Sequence, residues 1–193
     1  MKLIRVSDAR TRALDNDARN LAEMLVDGVA IQERFVAEPR LKTTGVGYMK
    51  NKGAGEFAPE SAEDLLAPRA WLKYANWAMV ETINQHLCQS GSAQHGRTSD
   101  GYEPAKQLWE QSMPNIMSLE EALDVCFRCH RLGPFLNFNG NTFAAMARAM
   151  VRNVLIRVGQ PQSQVLESVV GHYVAGTEGR EALIKVLSEI RTK

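Results

Sequence analysis

The sequence predicts an all-α fold, a compact multi-helix domain. Three observations indicate this class: apolar residues recur at helical spacing along most of the chain, capping residues and prolines mark successive helix starts, and no alternating strand pattern longer than a few residues competes, apart from residues 2–6. With 193 residues, 45% of them hydrophobic, the chain can bury a core without disulfide bonds.

The first half of the chain contains two predicted helices. Ser7 can cap a helix that places Ala18, Ala22 and Leu25 on one face. After Ser61, Asp64 and Pro68, apolar spacing predicts a long helix from about Arg69 to Leu87, whose buried face is widened by Trp71 and Trp77. The stretch 90–101 that follows is rich in serine and glycine, so we expect it to be the most exposed loop.

In the second half of the chain, prolines, glycines and capping residues indicate the helix boundaries more clearly. A short helix lies between Pro104 and Pro114, and Ser118 with Glu121 forms a capping box that opens a helix ending at Gly133. The next helix begins at Asn141 or Thr142 and continues to Gly159, and two shorter helices follow, over residues 165–173 and 177–190.

Charge and cysteine content narrow the class of protein. The formal net charge is only +1, so nucleic-acid binding would need a local basic patch. No apolar run reaches the roughly 18 residues of a membrane span. Three cysteines without disulfide-framework spacing fit a reducing compartment, and we therefore expect a cytoplasmic protein that does not enter a membrane.

The segment 35–52 has the pattern of a helix-turn-helix near the N-terminus. Val36 and Ala37 pack inward, Leu41 fills the turn, and Val46 with Met49 holds the recognition helix. The outward and basic positions are the predicted DNA-binding residues: Arg40, Lys42, Thr43, Thr44, Tyr48, Lys50 and Lys52. Since Gly45 and Gly47 each cost a helix about 1 kcal/mol relative to alanine, a basic solvated loop is the open alternative.

The run from Cys126 to His130 matches the C-x-x-C-H pattern of covalent haem attachment. Cys126 shares the apolar stripe of Leu119 and Leu123, which favours buried core thiols on a helix. A zinc site of Cys126, Cys129 and His130 with Cys88 or another histidine is the alternative, although structural zinc usually uses two ligand pairs and only one is present. We therefore predict no cofactor and no metal ligand.

Two further features of the sequence bear on function. Arg148, Arg152 and Arg157 lie opposite the apolar face of their helix and would form either a solvated surface or a phosphate-contacting stripe. The sequence carries no phosphate-binding glycine loop, nucleophile elbow or zinc-protease motif. We therefore name no catalytic residue and do not expect an enzyme.

Taken together, these features resemble FlhC, the flagellar master activator subunit, and its relatives in conjugative plasmids and integrative elements. The residues that carry the resemblance, over roughly 15–133, are the run 24–28 with Gln32, the basic stretch 41–52, Trp71, Met79, Gln85, Leu87, Gly91 and the helix end at Leu132 and Gly133. Flagellar members carry a four-cysteine zinc site beyond this point, whereas no cysteine follows Cys129 here, which favours the mobile-element type.

The resemblance implies a complex with a small helical FlhD-like partner that binds promoter DNA and recruits RNA polymerase. The sequence thus predicts a helix-turn-helix DNA-binding region over residues 1–56 and a helical partner-binding region over 57–193, within one compact unit. The predicted function is that of a transcriptional activator subunit. The alternative is a helical adaptor or scaffold subunit of a larger bacterial assembly, without DNA binding.

Overall fold

The computed structural model describes residues 13–26 and 62–192. This part of the chain is helical, and its β-structure is limited to two isolated bridges, so the predicted all-α class is confirmed. The predicted helix-turn-helix and the strand-like residues 2–6 lie outside the described residues. The helices are α1 (13–26), α2 (Ala62–Leu66), α3 (Trp77–Ser90), α4 (Tyr102–Ser112), α5 (Leu119–Leu132), α6 (Asn139–Val158), α7 (Gln162–Val174) and α8 (Arg180–Arg191).

Helix α6 is the centre of the described fold. It packs against α2, α3, α5 and α7, and buried residues extend from Thr142 at its start to Val154 near its end. Four of those residues are alanines, whose short side chains let neighbouring helices approach closely (Ala144, Ala145, Ala147 and Ala149). In its first turns, the Phe143 ring contacts Trp77 and Trp109, and Trp77 also stacks on Phe135.

Helix α1 docks on this centre through small residues and polar contacts. Ala18 and Ala22 are fully buried, in agreement with the predicted face. Arg19 pairs with Glu167 of α7. Glu23 lies 3.4 Å from the guanidinium of Arg152 on α6. Near the start of α6, the Asn141 amide donates to the Asp15 carboxylate at 2.6 Å. Since Asp15 meets the start of α6 and Glu23 meets Arg152 further along it, α1 runs beside α6 with the same chain direction.

The predicted helix over residues 69–87 is wrong in its first part. The chain forms the short α2 and then turns, and α3 begins only at Trp77. Asn76 caps α3 by accepting a hydrogen bond from the backbone N–H of Met79, whereas Arg69 is engaged in a bridge with Met117. The apolar residues at helical spacing are buried, but two differently oriented segments supply them.

The stretch 91–101 is a loop with many exposed side chains, as predicted, and its backbone is bonded to the rest of the fold. Its backbone pairs with the segment after α5: Leu136 N–H donates to Gly96 O at 3.0 Å, and Thr98 N–H donates to Pro134 O at 2.9 Å. The guanidinium of Arg97 also lies 4.2 Å from the centre of the Tyr102 ring. The glycine and serine content therefore predicted a loop here, but it did not predict the hydrogen bonds between this loop and the segment after α5.

The capping box at the start of α5 is confirmed. The Ser118 hydroxyl accepts from the Glu121 N–H at 3.2 Å, and the Glu121 carboxylate accepts from the Ser118 N–H at 2.8 Å. Gly133 ends the helix in the left-handed region, with φ 62°. In the described part of the chain, no helix is both long enough and apolar enough to cross a membrane.

Candidate functional site

All seven predicted DNA-binding residues lie in a part of the chain that the structure does not describe. They are Arg40, Lys42, Thr43, Thr44, Tyr48, Lys50 and Lys52. Their role, and the helix-turn-helix that would present them, stay predictions.

Charge is distributed unevenly between the two parts of the chain. The described residues contain more acidic than basic side chains, although the whole chain has a net charge of +1. The excess of positive charge therefore belongs to the remaining residues, which include Arg40, Lys42, Lys50 and Lys52. The described body has no net positive charge, so a net positive charge for DNA phosphates is found only in the remaining residues.

The arginine series on α6 is used within the body. Arg148 is part-buried, and its Nε donates to the carbonyl oxygen of Glu167 on α7 at 3.4 Å. Its guanidinium lies directly over Gly171, where a Cβ atom would approach Nη2 within 2.1 Å. Arg152 pairs with Glu23. Two of the three arginines thus hold α1 and α7 against α6 and do not form an open phosphate-contacting stripe.

Cys126 and Cys129 are fully buried core thiols, as their position on the apolar stripe of α5 predicted. Burial raises the pKa of Cys129 to about 12 and that of Cys126 well above its ordinary value, so both remain protonated thiols at neutral pH. His130 points elsewhere: its Nδ1 lies 2.8 Å from the carbonyl oxygen of Val174. The two thiols and this imidazole therefore do not converge on one point.

Cys88 and His95 lie close together, since the Cys88 thiol also bonds the side-chain oxygen of Asn84, whereas His172 bonds a different partner. His95 Nδ1 bonds the side-chain oxygen of Asn84 at 2.9 Å, and His172 Nδ1 lies 3.0 Å from the Thr177 hydroxyl. No group of three potential metal-ligating side chains occurs within residues 13–26 and 62–192.

A buried polar network, which the sequence did not reveal, holds the start of α6. Asn84 of α3 is fully buried and donates to the Asn137 carbonyl at 2.8 Å and to the Thr142 hydroxyl at 3.0 Å. Its carbonyl oxygen accepts from His95. The sequence around Asn84 could not predict these contacts, because Asn137 and Thr142 are more than fifty residues away in the chain. Every polar group of this amide has a partner, which makes the network structural.

An open groove of about 720 Å³ lies beside α5. One wall is the loop between α4 and α5, and the other is the outer face of α5. The residues that line the groove are Pro114, Asn115, Ile116, Met117, Glu121, Asp124, Val125 and Arg128. Ile116 is 77% exposed, which is unusual for an isoleucine and places an apolar side chain at the edge of the groove.

Two carboxylates set the electrostatics of the groove. Asp124 accepts a hydrogen bond from the Tyr173 hydroxyl and lies 3.3 Å from the Arg180 guanidinium. Burial, followed by the bond to Asp124, raises the pKa of Tyr173, so its hydroxyl remains a donor. The capping bonds from Ser118 lower the pKa of Glu121, which keeps it charged.

The charged groups that line the groove differ in how they are held. Glu121 and Asp124 take part in structural hydrogen bonds, whereas Arg128 is exposed. Exposed Ile116 was the feature that sequence reasoning missed. The sequence could have indicated it, because Ile116 lies between Pro114 and the cap Ser118 and belongs to no apolar stripe of a helix.

Comparisons of the chain with protein-family models, with curated proteins and with solved structures find no match.

Proposed function

We propose that this chain is a cytoplasmic DNA-binding subunit of a transcriptional activator, in which the basic segment 40–52 contacts DNA and the helical body binds proteins. The observation that supports the proposal is the division of charge. The thirteen residues of that segment include four cations, whereas the described body has more acidic than basic side chains. Contacts to DNA phosphates require clustered cations, and this chain has such a cluster in one segment. The surface of the body is then free for contacts with other molecules.

The proposed partners follow the resemblance to FlhC. A small helical FlhD-like protein would join the body, and the complex would bind promoter DNA and engage RNA polymerase. A single basic patch makes few phosphate contacts, so tight binding requires a second DNA-contacting unit in the complex. The open groove beside α5 offers the body a surface for such protein contacts.

The test is a salt titration of DNA binding by the purified chain, with a short random-sequence duplex as the probe. The double variant Lys42→Ala, Lys50→Ala should weaken binding, and each lost phosphate contact should reduce the slope of log affinity against log salt by about one. Lys185→Ala is the matched control, because Lys185 is an exposed lysine on α8 of the body. Binding that is unchanged in the double variant would contradict the proposal, as would an equal loss in the control.

A helical adaptor without DNA binding is the second candidate, and exposed Ile116 beside the groove favours it. An adaptor would show no salt-dependent affinity for the duplex, yet would retain a protein partner when the chain is co-expressed with its neighbouring genes and purified. The same two measurements therefore separate the candidates.

A further inference from the structure

Helix α5 carries a charge pattern that reverses sign along its exposed face. Glu121 and Asp124 lie in its first half, and Arg128 and Arg131 lie in its second half. Residues three, four and seven apart share one face of a helix, so the four side chains form a single stripe. We name this stripe the α5 face.

The pattern is symmetric about the middle of the helix. Glu121 and Arg131 lie at equal distances in sequence before and after Cys126, and so do Asp124 and Arg128. If two copies of this face meet antiparallel across a two-fold axis, each acid of one copy lies opposite an arginine of the other. A helix with all its acids or all its bases on one face would repel its own copy in the same arrangement.

The two arginines are available for such pairing. Both are exposed, and the hydrogen bonds and ion pairs of the described residues involve neither of them. One oxygen of the exposed Glu121 carboxylate accepts the capping bonds from Ser118, which leaves the other for an external partner. Asp124 is already held by Tyr173 and Arg180, so the pair between Glu121 and Arg131 is the stronger of the two expected contacts.

Exposed apolar residues flank the stripe at both ends. Ile116, 77% exposed, precedes the helix, and Leu132, 40% exposed, ends it on the same face as Glu121 and Arg128. Leu136, 50% exposed, follows just beyond the helix. Isologous interfaces are self-complementary, with apolar contacts supplying affinity and charges setting register and orientation.

We propose that the α5 face is an interface at which a second copy of this chain binds antiparallel, forming a two-fold symmetric dimer. Charge complementarity indicates that the occupant is a second copy. In the antiparallel arrangement, the acidic half of one α5 face lies opposite the basic half of the other. The groove beside α5 widens the surface, since Ile116 and Glu121 both line it. The inference does not depend on DNA binding, although a dimer would double the number of basic segments.

The test is the mass of the full chain in solution, measured by sedimentation velocity over a range of concentrations up to about 100 µM, well above the micromolar dissociation constants of many specific pairs. The wild type should form a dimer, and Arg128→Glu with Arg131→Glu should give a monomer with an unchanged circular dichroism spectrum. Lys185→Glu makes a charge reversal on α8, away from the face, and should remain a dimer.

A milder variant guards against misfolding. Glu121→Gln retains a residue suited to the capping box but removes the charge, so the dimer loses two ion pairs by symmetry and its dissociation constant should rise by roughly 2- to 30-fold. A wild-type monomer at the highest concentration would overturn the proposal. A dimer that survives the double arginine reversal would overturn it too, because the interface would then lie elsewhere.

Discussion

Helices α5 and α6 begin in opposite ways. Ser118 and Glu121 supply the cap of α5 from within its own first turn. Helix α6 begins after Phe138, a residue in the left-handed region with φ 58°, and it has no side-chain cap. Local bonds join the side chains of Asn139 and Thr142 to the Phe135 and Phe138 carbonyls. In addition, Asn84 of α3 donates to the Asn137 carbonyl and the Thr142 hydroxyl.

The difference shows where the information for a helix start is located. The partners at the start of α5 are three residues apart, so any sequence scan can find them. At the start of α6, the bonds from Asn84 join residues more than fifty positions apart, which meet only after the helices pack. The predicted start of α5 was accordingly confirmed, whereas α6 begins at Asn139, two or three residues before the prediction.

The largest expected effect tests the tertiary cap. Asn84→Ala should lower the free energy of unfolding by roughly 2–4 kcal/mol, because the Asn137 carbonyl, the Thr142 hydroxyl and the His95 ring lose a buried partner. Urea denaturation measures the change. Gln85→Ala, at the exposed neighbouring position, should have little effect. A loss below about 1 kcal/mol for Asn84→Ala would mean that water replaces the amide without cost.

The ends of the two helices give a second contrast. Gly133 after α5 is in the left-handed helical region, with φ 62° and ψ 55°, whereas Gly159 after α6 has φ 73° and ψ 177°, which residues other than glycine scarcely adopt. No atom lies within 4 Å of a Cβ atom built at either position, so backbone conformation alone decides the cost.

We therefore expect Gly159→Ala to destabilise the protein by about 1–3 kcal/mol and Gly133→Ala by about 1 kcal/mol. The asparagine variants sharpen the test, since asparagine tolerates the left-handed helical region but not the conformation of Gly159. Gly133→Asn should be milder than Gly133→Ala, and Gly159→Asn should gain nothing over Gly159→Ala. Thermal unfolding of the four variants measures this order, and equal costs at both sites would contradict it.

The smallest expected effect is at the local cap. Ser118→Ala removes the acceptor for the Glu121 N–H and should cost about 0.5–2 kcal/mol, seen as a lower melting temperature. Ser118→Thr retains the hydroxyl and serves as the control. If the alanine variant melts like the wild type, the capping box contributes nothing to stability and α5 is held by burial of Leu119, Leu123 and Cys126.

The same distinction between local and long-range contacts applies to the candidate sites. The sequence indicated that Cys126 and Cys129 are core thiols, because a buried stripe at helical spacing is a local pattern. It did not reveal that Arg148 crosses Gly171 or that Arg152 pairs with Glu23, since both contacts join separate helices. The predicted DNA-binding residues 40–52 lie outside the described residues, so the sequence remains the basis for that prediction.

By itself, the sequence determined the helical class, the bounds of α5 and the burial of its thiols. Apolar spacing and capping bonds act within a few residues, where chain connectivity guarantees that the groups meet. The tertiary structure alone decided that residues 67–76 turn away from α3, that the stretch 91–101 is bonded to the segment after α5, and that Ile116 borders an open groove. Those outcomes depend on which distant groups pack together, and no short-range pattern encodes that choice.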